Sequence, residues 1–197
     1  MIALVDSGVA NLASVLAALS RLGHSAEVTA NPGFVRRADR IILPGVGAAA
    51  AAMEQLRKRG LVDALRVVNQ PVLGICLGMQ LLFARSDEGE GVDCLGVIPG
   101  RIKPLKALRA YPIPHMGWNR IRVDGAGHPL LRGIADGTFM YFAHSFAAPK
   151  GRHALAFAEH GEQFPAVVAH GNYIGCQFHP ERSGAPGLKL IENFLGL

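Results

Sequence analysis

Val72-Leu73-Gly74-Ile75-Cys76-Leu77-Gly78-Met79-Gln80-Leu81-Leu82-Phe83 runs from a short apolar segment, through one reactive side chain, into a helix-like stretch. Glycine stands two positions before Cys76 and two after it. A reactive residue so placed between strand and helix has the form of a nucleophile elbow. The chain must turn so sharply there that side chains on the flanking positions are not tolerated. The turn lifts the Cys76 sulfur out of the sheet and sets it at a helix N-terminus. Unpaired N–H groups and the helix dipole favour thiolate at that place. Free cysteine titrates near about 8.5, so a nucleophile at neutral pH needs such help.

Working outward, the first half of the chain alternates strand and helix signals. Ile2 to Val5 reads as a strand, and Leu12, Val15, Leu16 and Leu19 recur at helical spacing. Ile41-Ile42-Leu43 is a short buried strand, broken by Pro44-Gly45-Val46-Gly47, and Ala48 to Leu56 is rich in strong helix formers. Val72 to Ile75 is the strand entering the elbow. This order predicts an α/β fold: an open, mostly parallel, flavodoxin-like sheet with helices on both faces. In the second half, glycine and proline punctuate short strand-like runs at Val97-Ile98, Ile121 to Val123, Phe139 to Phe142, Ala154 to Ala158 and Ala166 to Ala169. These predict a small antiparallel extension. Tyr173 to Phe178 returns as a core strand, and Leu188 to Leu195 closes the chain as a helix. Residues 1–197 are expected to form a single domain.

Composition narrows the function classes. Half of the residues are hydrophobic and 18% are charged, which is the balance of a compact fold. No apolar stretch reaches the length of a membrane span. The start, Met1 to Asp6, lacks the basic residues and cleavage site of a signal peptide, so a cytoplasmic location is expected. Cys76, Cys94 and Cys176 are too few and too oddly spaced for a disulfide framework. There is no Cys-x-x-Cys, and the histidines do not pair at zinc-ligand spacing; neither metal nor cofactor is called for. The net charge of +5 is mild, and Arg36-Arg37 and Arg57-Lys58-Arg59 read as solvated faces. With no basic stripe interleaved with aromatics, nucleic acid is not an expected partner.

A cysteine nucleophile needs a base and a group to orient that base. His179 precedes Pro180, which disfavours helix for the residue before it, so His179 is expected to be extended. Residues two apart in an extended segment share a face, which would bring Glu181 to the imidazole. Cys76, His179 and Glu181 thus have the make-up of a triad. Attack on an amide builds charge on the carbonyl oxygen, and backbone N–H groups can hold it. One expected donor is Leu77, directly after the nucleophile. The other is expected from the Pro44–Gly47 loop, which follows a buried strand and opens a helix. Gln80 lies one helical turn after Cys76, within reach of a polar substrate at the sulfur.

Gly74-Ile-Cys76-Leu-Gly78-Met-Gln80 and Gln177-Phe-His179-Pro-Glu181 resemble the nucleophile and His-Pro-Glu motifs of the class I, or triad, glutamine amidotransferases. The resemblance covers essentially the whole chain. Pro44-Gly-Val-Gly47, Pro114-His-Met-Gly-Trp-Asn119 and Tyr141-Phe-Ala-His-Ser145 are similar, more narrowly, to the glutaminase subunits of imidazole glycerol phosphate synthase. Met116 to Asn119 is the most discriminating block.

The resemblance implies hydrolysis of L-glutamine to glutamate and ammonia, with Cys76, His179 and Glu181 as triad and with Val46 and Leu77 at the oxyanion. It implies that Gly45, Gly47, Gln80, Ser145 and Phe146 bind the substrate. It also implies a (β/α)8-barrel cyclase partner in a heterodimer, to which ammonia passes. Asn11, Pro114, Met116, Trp118, Asn119 and Arg182 match positions facing that partner. Arg182 stands where lysine is frequent, Ser7 where tyrosine is frequent, and Ala10 where glycine is frequent. Cys176 reads as a core filler. Other triad glutaminases, which the Met-Gly-Trp-Asn block speaks against, are the alternative. A cysteine peptidase on a related sheet would need an open cleft, and an inactive binding module would not need all three triad members.

Overall fold

The computed structural model describes residues 1–8, 10–124 and 127–197; Val9, Gly125 and Ala126 lie outside them. The strands are β1 (Ile2–Val5), β2 (Glu27–Thr29), β3 (Arg40–Gly45), β4 (Val72–Cys76), β5 (Phe83–Ser86), β6 (Val92–Asp93), β7 (Ile98–Pro104), β8 (His115–Arg120), β9 (Arg122–Val123), β10 (Phe139–His144), β11 (Phe146–Ala147), β12 (Ala154–His160), β13 (Glu162–His170) and β14 (Tyr173–Cys176). The helices are α1 (Leu12–Arg21), α2 (Pro32–Arg37), α3 (Ala49–Lys58), α4 (Leu61–Val67), α5 (Leu77–Leu81) and α6 (Gly184–Leu195). None of these helices is long and apolar enough to cross a membrane.

The main sheet has the order β2-β1-β3-β4-β14-β13-β12-β9. The first five strands are mutually parallel, in the doubly wound order with β14 in fifth place. The last three continue antiparallel, so the extension is part of the same sheet rather than a separate layer. β8 and β10 pair as a two-stranded ribbon, and β11-β7-β5-β6 form a third sheet.

The apolar runs are explained by burial on both faces. Along β1, Ile2 and Leu4 pack into a core shared with α1 and α6, while Ala3 and Val5 pack into a second core shared with α2, α3, α4 and α5. A strand covered on both sides must be apolar at every position, which is why β1 and β4 read as unbroken hydrophobic runs. Each fully buried Leu, Ile or Phe in these cores contributes about 1.5–3 kcal/mol relative to exposure.

The helix expected over Leu77 to Phe83 is shorter than predicted: α5 ends at Leu81 and Phe83 opens β5. Phe83 pairs with Ile98 in the third sheet, so tertiary pairing overrides the local helix signal. The closing helix starts four residues earlier than expected, at Gly184.

Candidate active site

All parallel strands of such a sheet end at one edge, and loops at that edge carry the site. β4 ends at Cys76. Its neighbour β14 pairs Gly175 with Gly74 and Cys176 with Ile75, so the segment after β14 emerges beside the elbow. β3 pairs Gly45 with Cys76 on the other side, which delivers the Pro44–Gly47 loop to the same place.

The elbow is sterically enforced. Cys76 has φ 52° and ψ −110°, and among the described residues it is the one non-glycine with positive φ. Such a conformation costs of order 1–3 kcal/mol and is held by its surroundings. Those surroundings are tight. A Cβ on Gly74 would stand 2.7 Å from the Gly78 carbonyl and the Met79 backbone, and one on Gly78 would stand 1.8 Å from the Leu43 carbonyl. Both glycines are therefore required by backbone contact, as the sequence reading expected. α5 begins at Leu77, so the Leu77 N–H belongs to a helix's first turn and has no intrahelical acceptor.

His179 is extended, with φ −95° and ψ 96°. Its Nδ1 lies 2.8 Å from Glu181 Oε1, and the Cys76 sulfur is near enough to act on the charge of the ring. The carboxylate arrives by a route different from the one expected. Pro180–Arg182 is a 3-10 turn, and it is this turn, rather than a continued extended strand, that folds Glu181 back onto the ring. The anchoring is thorough. The His179 N–H donates to the Tyr141 carbonyl at 2.9 Å, and the Ser183 hydroxyl donates to the His179 carbonyl at 2.7 Å. Burial alone would lower the His179 pKa, but the Cys76 sulfur and the Glu181 carboxylate reverse this and push it up to about 10. In contrast, burial pushes the Cys94 thiol up to about 11 and raises Cys176 as well. Buried thiols so disfavoured as thiolates are inert.

Cys76, His179 and Glu181 open onto a cavity of ≈ 350 Å³. Of the residues singled out in sequence, Asn11, Val46, Gly47, Leu77, Gln80, Pro114, Met116, Ser145, Phe146 and Arg182 also line it. Gly45, Trp118 and Asn119 do not. Gly45 packs beneath the loop, where a Cβ would stand 3.0 Å from the Gly78 nitrogen. Trp118 faces outward, 56% exposed, which excludes core packing as its role. The Asn119 amide donates instead to the Glu159 carbonyl at 2.8 Å. Gln80 is buried, and its amide nitrogen donates to the Phe146 carbonyl at 2.9 Å and to Gln177 Oε1 at 3.0 Å.

The family model for class-I glutamine amidotransferases matches residues 3–196. The chain belongs to this family. It is 49% identical over 194 residues to the imidazole glycerol phosphate synthase subunit HisH of Escherichia coli (strain K12), covering 98% of each chain. It is 48% identical to the protein of that same name from Yersinia pestis, with the same coverage. Among solved structures, it resembles a glutamine amidotransferase with a TM-score of 0.76 at 19% identity, over the full length of both chains. It also resembles PurLQS from Thermotoga maritima, with a TM-score of 0.74 at 21% identity, over 99% of this chain and 97% of that one. These two likenesses concern the amidotransferase fold.

Three groups near the site went unnoticed in sequence. Glu88, from the β5–β6 connection, lines the cavity, and its Oε2 accepts the Ala49 N–H at 2.6 Å, pinning the start of α3. His144 lines the cavity and contacts the buried His115 at 3.1 Å. Gln177 is fully buried, with its amide nitrogen 3.7 Å from the Cys76 sulfur. Glu88 carried no motif. Gln177 stood inside the quoted motif, but nothing in its spacing indicated where its amide pointed.

Proposed function

We propose that this amidotransferase hydrolyses L-glutamine through Cys76, His179 and Glu181 and hands the ammonia to a cyclase subunit. The family membership makes the chain a glutamine amidotransferase subunit of the imidazole glycerol phosphate synthase kind, acting in histidine biosynthesis. The observation that carries the residue assignment is the strained Cys76 sulfur meeting a His179–Glu181 pair in one cavity sized for a single amino acid. That size also speaks against a peptide chain as substrate.

The chemistry proceeds in two halves. The Cys76 sulfur attacks the side-chain amide carbon, and charge develops on its oxygen. The N–H groups of Leu77 and of the Val46 loop are the donors for that oxygen. His179, its pKa raised to about 10, carries the proton that goes to the departing nitrogen, and ammonia leaves. In the thioester the sulfur no longer bears charge, so its contribution to the His179 pKa disappears. Burial then draws the ring toward neutrality, where it can take a proton from the attacking water. The C–S bond breaks and glutamate departs. The Glu88 carboxylate pairs with the α-ammonium of glutamine, and Gln80, Ser145 and the Phe146 backbone orient the substrate's α-groups.

The loop supports control by the partner. Gly45 is packed against Gly78, whereas Gly47 has φ +82° with nothing within 4 Å of its Cβ position. The peptide between Val46 and Gly47 can reorient at its free end without disturbing its fixed end. A heterodimer seated on Asn11, Pro114, Met116, Trp118, Asn119 and Arg182, ammonia channelling and cytoplasmic residence complete the proposal. The test is ammonia release from glutamine by the chain alone and with the cyclase and its ligand. Weak turnover alone and strong activation in the complex are expected. Equal turnover in both arms refutes partner control, and full turnover by Cys76→Ala refutes the triad.

A further inference from the structure

We propose that Gln177 is a catalytic residue, donating a side-chain N–H to the Cys76 sulfur in an orientation imposed by a relay that begins at the Phe146 carbonyl. This deepens the proposed function, since it rests on Cys76 being the nucleophile.

The orientation follows from one group that can only accept. The Phe146 carbonyl oxygen receives the Gln80 amide nitrogen at 2.9 Å. Gln80 must therefore present its NH2 end there. The second N–H of that end meets Gln177 at 3.0 Å, so Gln177 must present its oxygen to Gln80. Its own NH2 end is then left facing Cys76 Sγ at 3.7 Å. Reversing Gln177 would set N–H against N–H on the Gln80 side and would turn an oxygen toward the sulfur, which repels it as a thiolate. In a side chain with no exposed surface, neither clash can be relieved by water.

A second branch holds the same carbonyl in place. His144 Nδ1 donates to the Phe146 oxygen at 2.8 Å, so its Nε2 must accept. His115 Nδ1 supplies that proton at 3.1 Å, and His115 Nε2 faces the Asn119 amide nitrogen at 3.3 Å. Burial lowers the His115 pKa to about 4 and that of His144 to about 3, so each ring stays neutral in a single tautomer.

The sulfur therefore has a different set of partners in each protonation state. As a thiol it donates to the Ala143 carbonyl at 3.6 Å. As a thiolate it would be repelled by that oxygen and accept from Gln177 and His179 instead. The titratable and charged groups around it are His179 with Glu181 behind, Cys176 on the adjoining strand and, lining the same cavity, Glu88, His144 and Arg182. When the thioester breaks and the electron pair returns to sulfur, the Gln177 N–H receives the returning charge.

The test is the rate of Cys76 alkylation by iodoacetamide across pH, site-resolved by mass spectrometry, with buried Cys94 and Cys176 as references. Gln177→Met should slow alkylation at neutral pH roughly tenfold and move its rise about one pH unit upward, the effect of one charge-assisted hydrogen bond. Gln177→Glu, which sets an oxygen against the sulfur, should do more. Folded variants with an unchanged alkylation profile overturn the proposal. Should neither variant fold, the unmutated chain decides. The Gln177 side-chain amide resonance should titrate with the midpoint of alkylation, and a resonance that ignores the sulfur's charge overturns the proposal equally. Alkylation needs no glutamine, so the relay is judged separately from the function. Glutamine hydrolysis surviving in Cys76→Ser would instead sink the triad.

Discussion

β4 and β8 are strands of similar length with opposite surroundings. Val72 to Cys76 are buried at every position, whereas burial along β8 alternates and leaves Met116 and Trp118 64% and 56% exposed. The first strand is clamped between two cores, so a strained residue at its end keeps its geometry. The second belongs to a two-stranded ribbon whose outer face is large, apolar and uncovered, the make-up of an interaction surface. The two regions are joined through β10. Its Tyr141 carbonyl accepts the His179 N–H, and its Tyr141 N–H donates to the Ser183 hydroxyl that holds the His179 carbonyl. Rigidity sits at the proposed nucleophile, exposed apolar surface at the proposed partner face, and hydrogen bonds connect the two.

The comparison can be tested by changes confined to each region. Cys76→Ala should reduce ammonia release from glutamine by about 10⁴-fold or more, leaving complex formation with the cyclase intact. Added ammonium should then restore cyclase turnover, and failure of that rescue in an intact complex would break the division of roles. Gly78→Ala drives a Cβ to 1.8 Å from the Leu43 carbonyl. It should cost more than about 4 kcal/mol in denaturant unfolding or prevent folding. Trp118→Ala should weaken cyclase binding by about 2–4 kcal/mol, read by calorimetry, with little change in the melting temperature of the isolated chain.

The pH dependence of stability sets the two regions against each other. His179 has a raised pKa, so its contribution is complete below its ordinary value of 6.5 and is lost as pH rises through about 10. His115 and His144, one on each strand of the ribbon, have lowered pKa values. Their contribution is complete above 6.5 and is lost as pH falls through about 4 and about 3. Unfolding measured across pH should show both limbs. His179→Gln should flatten only the alkaline one, and His144→Gln should reduce the acid one. The smallest expected effect is at Gly117, where nothing lies within 4 Å of a Cβ but φ is +127°. Gly117→Ala should cost about 1–3 kcal/mol through backbone strain alone, well short of Gly78→Ala.

Much of this was legible because it rests on local order along the chain. An apolar run, a glycine-flanked cysteine and a helical stretch are neighbours in sequence, and the elbow they form needs no distant information. Proline after His179 set its backbone in the same way. The doubly covered strands announced themselves by lacking alternation. What escaped depended on distant partners. Phe83 left its helix because Ile98 was there to pair with it, and Glu88 joined the cavity because the β5–β6 connection folds over α3. The direction of the Gln177 amide, 101 residues from Cys76 in sequence, was decided by a carbonyl at Phe146 that can only accept. Residue spacing carries conformation over a few positions, so motif, elbow and strand order could be read directly. Hydrogen-bond polarity and cavity membership arise only when remote segments meet, and packing alone settles them.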